Sequence, residues 1–159
     1  MSDLTVRHRL IEAMRERIEE YSWQTIDPDV HVGRTIFNPD DDPLPIVTVV
    51  AGLEDSERTR YGTDRRTMSL DISALVSLDN GADTTEACEP IFGDLHKAVF
   101  NGGELALTSG EGEAERVDYF SIEYRGGGIV DYPGAPGPAI VTIAVSVAVS
   151  FETVTGDPY

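Results

Sequence analysis

The chain has 159 residues, 40% of them hydrophobic, with a formal net charge of −17; that indicates a single domain with a real core and disfavours direct binding to nucleic acid or anionic membrane. No apolar run approaches the roughly 20 residues of a membrane helix. The one cysteine, Cys88, excludes an internal disulfide and fits a reducing compartment such as cytoplasm.

The opening Met1-Ser2-Asp3-Leu4-Thr5 has no basic start followed by an apolar stretch, so no secretory signal is expected. The first predicted element is a helix over about residues 3–21. Val6, Leu10, Ile11, Met14, Ile18 and Tyr21 recur at helical spacing, with Ser2 or Asp3 as its cap and a charged, ion-paired opposite face. Val30, Val32, Arg34 and Ile36 alternate as a short strand, closed by Asn38-Pro39 and the acidic turn Asp40-Asp41-Asp42-Pro43. Ile46 to Val50 is β-branched and continuous, the pattern of a strand covered on both faces. Pro43 and Pro45 place its beginning at an edge or a bulge.

Residues 53–65 then read as a polar connection, longer than the usual hairpin loop of about 2–5 residues. Met68, Leu70, Ile72, Ala74, Val76 and Leu78 alternate with mostly polar partners in a half-buried antiparallel strand. After the turn Asp79-Asn80-Gly81, the spacing Asp83-x-x-Glu86 resembles a capping box. The stripe Ala87, Ile91, Leu95 and Val99, flanked by Cys88 and Phe92, predicts the second helix. Pro90 belongs in its first turn or kinks it, and Asn101-Gly102-Gly103 stops it. A small apolar patch, Leu105–Leu107, precedes an acidic glycine-rich loop. Val117–Tyr124 reads as a strand, and 126–138 as a second long loop. The last strand runs from Ala139 to about Thr153, with Val141 to Phe151 on one face and small residues on the other; that second face would let a helix or a neighbouring subunit pack closely. The predicted fold class is α+β: one domain over 1–159, with a mixed, mostly antiparallel sheet and both amphipathic helices on one face.

Chemistry-bearing patterns are sparse. His8, His31 and His96 show no helical zinc spacing and no cysteine cluster accompanies them; each reads as an ordinary surface or hydrogen-bonded histidine. Cys88 reads as a packing residue. There is no nucleophile elbow, and Gly126-Gly127-Gly128 leads into no helix able to present its N-terminus to a phosphate. The clusters Asp40-Asp41-Asp42 and 79–83 lack the spaced ligands of a calcium loop, and their ordinary reading is a solvated turn. The expectation is therefore no enzyme, cofactor or metal; a small carboxylate- or metal-dependent hydrolase is the distant alternative.

The two long loops are more informative. Leu53, Tyr61, Ile129 and Tyr132 give them apolar anchors, and Arg58, Arg60, Arg65 and Arg66 are gathered in a chain that is otherwise acidic. Solvated surface and disorder are the ordinary readings of such segments. The sharper expectation is a surface ordered against a partner, since tyrosine and arginine are common interface residues. The candidate oligomer or tube interface is Leu53, Glu54, Glu57, Arg58, Arg60, Tyr61, Arg65, Arg66, Ile129 and Tyr132.

In its order of elements the sequence resembles the tail terminator proteins of long-tailed bacteriophages, the group of minor tail protein U. The resemblance runs through Arg7-His8-Arg9-Leu10-Ile11-Glu12-Ala13-Met14, Gly33-Arg34, Leu44-Pro45-Ile46-Val47-Thr48-Val49, Met68-Ser69-Leu70-Asp71-Ile72, Glu89-Pro90-Ile91-Phe92 and the closing Ile143 to Phe151, ending in Gly156-Asp157-Pro158-Tyr159. It implies a virion protein that forms a ring, usually a hexamer, which caps the tail tube, stops its polymerisation and provides the surface for head–tail joining. The implied partners are the chain itself, the tail tube protein and a head–tail connector or neck protein, with DNA passing through the lumen without specific binding. Another neck or tail completion protein is the nearest alternative. The resemblance also implies that residues 53–65 lie at subunit contacts or at the tube. A ring of six such acidic chains must pair charges at its contacts, and Arg58, Arg60, Arg65 and Arg66 are the expected partners.

Overall fold

The computed structural model describes residues 4–34, 43–79, 83–131, 139–157 and 159. Helix α1 (Val6–Glu20) starts later than its periodicity predicts, because Thr5 caps it: the hydroxyl accepts the His8 N–H at 3.2 Å. Leu10, Met14 and Ile18 stand one above another and are fully buried. On the outer face Arg15 bonds Glu12 at 2.8 Å and also pairs with Glu19 one turn on.

Five strands form one sheet in the order β1-β2-β3-β7-β6. Strand β1 (Asp29–Val32) runs parallel to β2 (Ile46–Arg58), and the other neighbours are antiparallel: β3 (Thr63–Leu78), β7 (Ala139–Val154) and β6 (Ile122–Asp131). Strands β4 (Leu105–Ser109) and β5 (Arg116–Phe120) form a separate hairpin, so the predicted strand 117–124 is divided at Ser121 between two sheets. Strand β1 ends at Val32, where Gly33 turns at φ 72°, so the predicted Arg34 is not part of it, and Ile36 lies outside the described residues. Ile46, Val47, Thr48 and Val49 are all buried, as their unbroken apolar run predicts. Pro43 and Pro45 precede β2, so no ladder donor is missing from it.

Helix α2 (Thr84–Val99) is capped by Asp83, whose carboxylate accepts the N–H groups of Thr85 and Glu86 at 2.9 and 3.2 Å. Pro90 sits in the second turn, not the first, with its ring exposed and the helix continuing through it. At the other end Arg17 reaches across from α1 to the carbonyls of Val99, Gly103 and Glu104, satisfying groups that a helix terminus leaves open. Gly102 and Gly103, at φ of 80° and 75°, make the turn that ends α2.

One apolar layer holds these elements together. Met68, Leu70, Ile72, Ala74 and Val76 of β3 and Val141 to Phe151 of β7 point toward the helices, joined by Leu10, Met14, Ile18, Cys88, Ile91, Leu95 and Val99. Each large side chain buried there contributes about 1.5–3 kcal/mol. Leu105 and Leu107 extend the layer beside α1. On the opposite face, Ser146 donates to Asp71 at 2.8 Å and the Thr67 and Ser150 hydroxyls meet at 3.1 Å.

Two expectations need correction. Residues 53–65 are not a long loop. Leu53–Arg58 complete β2, Thr63 opens β3, and only 59–62 turn, with Gly62 at φ 73°. The charged sequence hides the strand because both of its faces meet solvent there, so no apolar period marks it. Likewise 126–131 belong to β6. A backbone irregularity between Tyr124 and Gly126 precedes them, and glycine tolerates the bulge. Residues 132–138 lie outside the described residues.

Candidate functional site

The β2–β3 hairpin, backed by the end of β7, projects as an arm beyond the helices. Arg66 pairs with Phe151 and Thr63 with Val154, so three strands run to its end. Eight of the ten candidate interface residues gather here. Leu53 sits at the irregularity between Ala51 and Glu54 and is 93% exposed. Tyr61, in the turn, is 92% exposed. Arg60 beside it is exposed and makes no ion pair among the described residues. Glu57 lies opposite Arg65 in the register. Of the remaining two, Ile129 is elsewhere, half-buried on β6 against the core, and Tyr132 lies outside the described residues.

Three of the four arginines expected to pair between copies already have partners within the chain. Arg66 meets Glu54 at 3.3 Å, Arg65 meets Glu152 at 3.3 Å, and Arg58 lies 3.8 Å from Asp64. Glu54 is the hub, because Arg7 of α1 also bonds it at 3.0 Å while donating to the Gly52 carbonyl at 2.6 Å. This cluster fastens the root of the arm to the helix layer.

A second feature lies at the other end of the sheet. An open cleft of about 540 Å³ is lined by Thr84, Thr85, Glu89, Phe92 and Gly127–Ile129. Gly127 forms its floor because nothing larger fits. A Cβ there would stand 2.3 Å from the Ala144 carbonyl oxygen and 3.1 Å from the Phe92 ring. The cleft opens on the free side of β6, whose described backbone pairs only with β7. Farther along this side His96 packs against Phe100 and Tyr124, with ring centroids 4.8 and 5.1 Å away. A third hollow, of about 500 Å³, lies between Val6 and Arg9 of α1, the β4–β5 hairpin and Tyr159.

Asp94 was not singled out by the sequence patterns. It is buried at 5% exposure on α2 and accepts four hydrogen bonds, from the Gln24 N–H (2.7 Å), the Thr25 N–H and hydroxyl (2.9 and 2.8 Å) and the Tyr21 hydroxyl (2.9 Å). Burial pushes its pKa up, but the bonds from Thr25, Gln24 and Tyr21 outweigh that and hold it below the usual carboxylate range. Burial and the same bond raise the Tyr21 phenol. The group pins the segment after α1 to α2. An acid within the apolar stripe is the signal that marks it in the sequence.

Among the described residues no three His, Cys, Asp or Glu side chains are grouped to hold a metal ion, and no helix is long and apolar enough to cross a membrane. Cys88 is fully buried in the core. The sequence matches no protein-family model and no curated protein.

Proposed function

We propose that the chain is a structural ring subunit: the tail terminator of a long-tailed bacteriophage, which caps the tail tube, stops its growth and offers a second face for head joining. The observation that carries this reading is the arm. Leu53 at its root and Tyr61 at its tip are almost completely exposed, and side chains so exposed add nothing to the core. Covered by a partner, the same groups are well suited to anchor an interface. The order of elements supports the same reading.

The proposed partners are further copies of the chain, the tail tube protein and a head-side neck protein. DNA passes through a lumen of acidic subunits that repels it and so lets it slide. The proposed location is the neck-proximal end of the virion tail, and no catalytic residue or cofactor is assigned.

Mass measurement and negative-stain microscopy of the purified chain, at low and high salt, test the ring. The expected result is a ring with a central hole that halts the growth of polymerising tube protein. A chain that stays a single particle at every concentration and salt, and leaves tube growth unchanged, overturns the proposal.

A further inference from the structure

The arm tip and the cleft on β6 are complementary and belong to opposite ends of the sheet. In a chain of net charge −17, Arg60 at the tip makes no ion pair among the described residues, whereas Arg58, Arg65 and Arg66 are paired within the chain. Arg60 and Tyr61 stand at the tip's exposed turn. The cleft has an aromatic and aliphatic lining from Phe92 and Ile129, with Glu89 at its wall. Glu86 lies one helical turn before Glu89 and is exposed like it. Asp83 caps the same helix end, so the mouth of the cleft is acidic. A volume of about 540 Å³ admits a tyrosine ring and a guanidinium side by side.

The two features cannot meet within one copy. The tip lies past Val154 of β7, where Thr63 pairs, whereas Gly127–Ile129 pair with Val145 to Ile143. Nine residue steps of strand separate Val154 from Val145, a span of about 30 Å at the usual rise per residue. No side chain bridges that distance.

We infer that the arm tip of one copy docks in the β6–α2 cleft of the next, with Tyr61 against Phe92 and Ile129 and Arg60 facing Glu89 and Glu86. This inference rests on the ring reading and adds its direction. The two surfaces differ, so each copy offers a tip on one side and a cleft on the other. Contacts of this head-to-tail kind repeat until the rotation closes a ring. The contact is the anchor of a larger interface, which in stable assemblies buries about 800 Å² per partner.

The test uses the whole chain and reads assembly by mass measurement and microscopy, with urea unfolding of each variant beside it. Tyr61→Ala and Arg60→Glu are expected to weaken self-association about 30-fold or more, the range of an interface anchor, with unchanged unfolding midpoints. Glu89→Arg is expected to do the same from the cleft side. Arg60→Glu and Glu89→Arg combined in one chain restore association, because every swapped tip then meets a swapped cleft. Mixing Tyr61→Ala chains with Glu89→Arg chains yields dimers and no rings, since one intact tip meets one intact cleft. Wild-type rings that survive the tip and cleft changes overturn this contact and leave the ring reading standing. A wild-type chain that never associates overturns both.

Discussion

The body of the sheet and its arm are built from the same three strands and differ in what lies beneath them. In the body, β2, β3 and β7 turn Val49, Leu70, Ile72, Val145 and Val147 toward the helices, and all are fully buried. Past the irregularity between Ala51 and Glu54, the pairing Glu54↔Met68 turns Glu54, Ser56 and Arg58 to that side instead. One extra residue shifts the alternation. Leu53, which would follow Val47, Val49 and Ala51 into the core, is thrown out to solvent. The β3–β7 ladder is continuous across the change, so the ladder alone does not make a core. The body is held by apolar burial, the arm by pairing with β7 and by the Arg7–Glu54–Arg66 cluster.

The sharpest way to break this comparison is to truncate a matched pair of residues on β3. Ile72→Ala, in the body, is expected to lose about 2–5 kcal/mol in urea unfolding, whereas Arg66→Ala, on the same face of the arm, should lose less than about 1 kcal/mol. Equal losses would mean that arm and body share one core. Asp94→Ala comes next, at about 1–3 kcal/mol, because it strands buried donors from Gln24, Thr25 and Tyr21. Its folded pKa lies below the unfolded value, so below about pH 4 the unfolded chain takes up the proton first. The wild type is therefore expected to lose this stabilisation as pH falls through that range, and Asp94→Ala to show a flatter acid limb. A steeper limb in the variant would contradict the assignment.

Smaller still is Glu54→Ala. Its ion pairs are partly exposed, so the cost in stability is below about 1 kcal/mol and shrinks with salt. The expected signature is local: faster amide exchange in residues 54–66 than in the body strands. Smallest is Tyr61→Ala, whose unfolding midpoint should match the wild type within about 0.5 kcal/mol. A large loss there would show that the tip serves the fold rather than a partner.

Much of the fold was legible because periodicity is local. Met68 to Leu78 and Val141 to Phe151 alternate, and Ala87, Ile91, Leu95 and Val99 recur by four, so side-chain spacing alone names the element and the buried face. The arm was not legible for the converse reason. Leu53 to Arg58 face solvent on both sides, and a strand without a buried face carries no period. Eight of the ten candidate residues fall on one hairpin that the sequence read as a loop, and the sequence held no sign that Arg65 and Arg66 were already occupied by Glu152 and Glu54, residues distant along the chain or across the bulge. Asp94 was legible only as an acid out of place in an apolar stripe.

Composition and spacing by themselves determined the α+β class, the two amphipathic helices, the long alternating strands and the concentration of arginine between 58 and 66. Tertiary structure decided the rest: which strands pair, that β1 joins in parallel, that a bulge exposes Leu53, and that tip and cleft lie at opposite ends of one sheet. Spacing acts over one or two turns of chain, whereas strand register and charge pairing depend on residues brought together from far along it. That is why the composition of the arm was visible early and its geometry only in the folded protein.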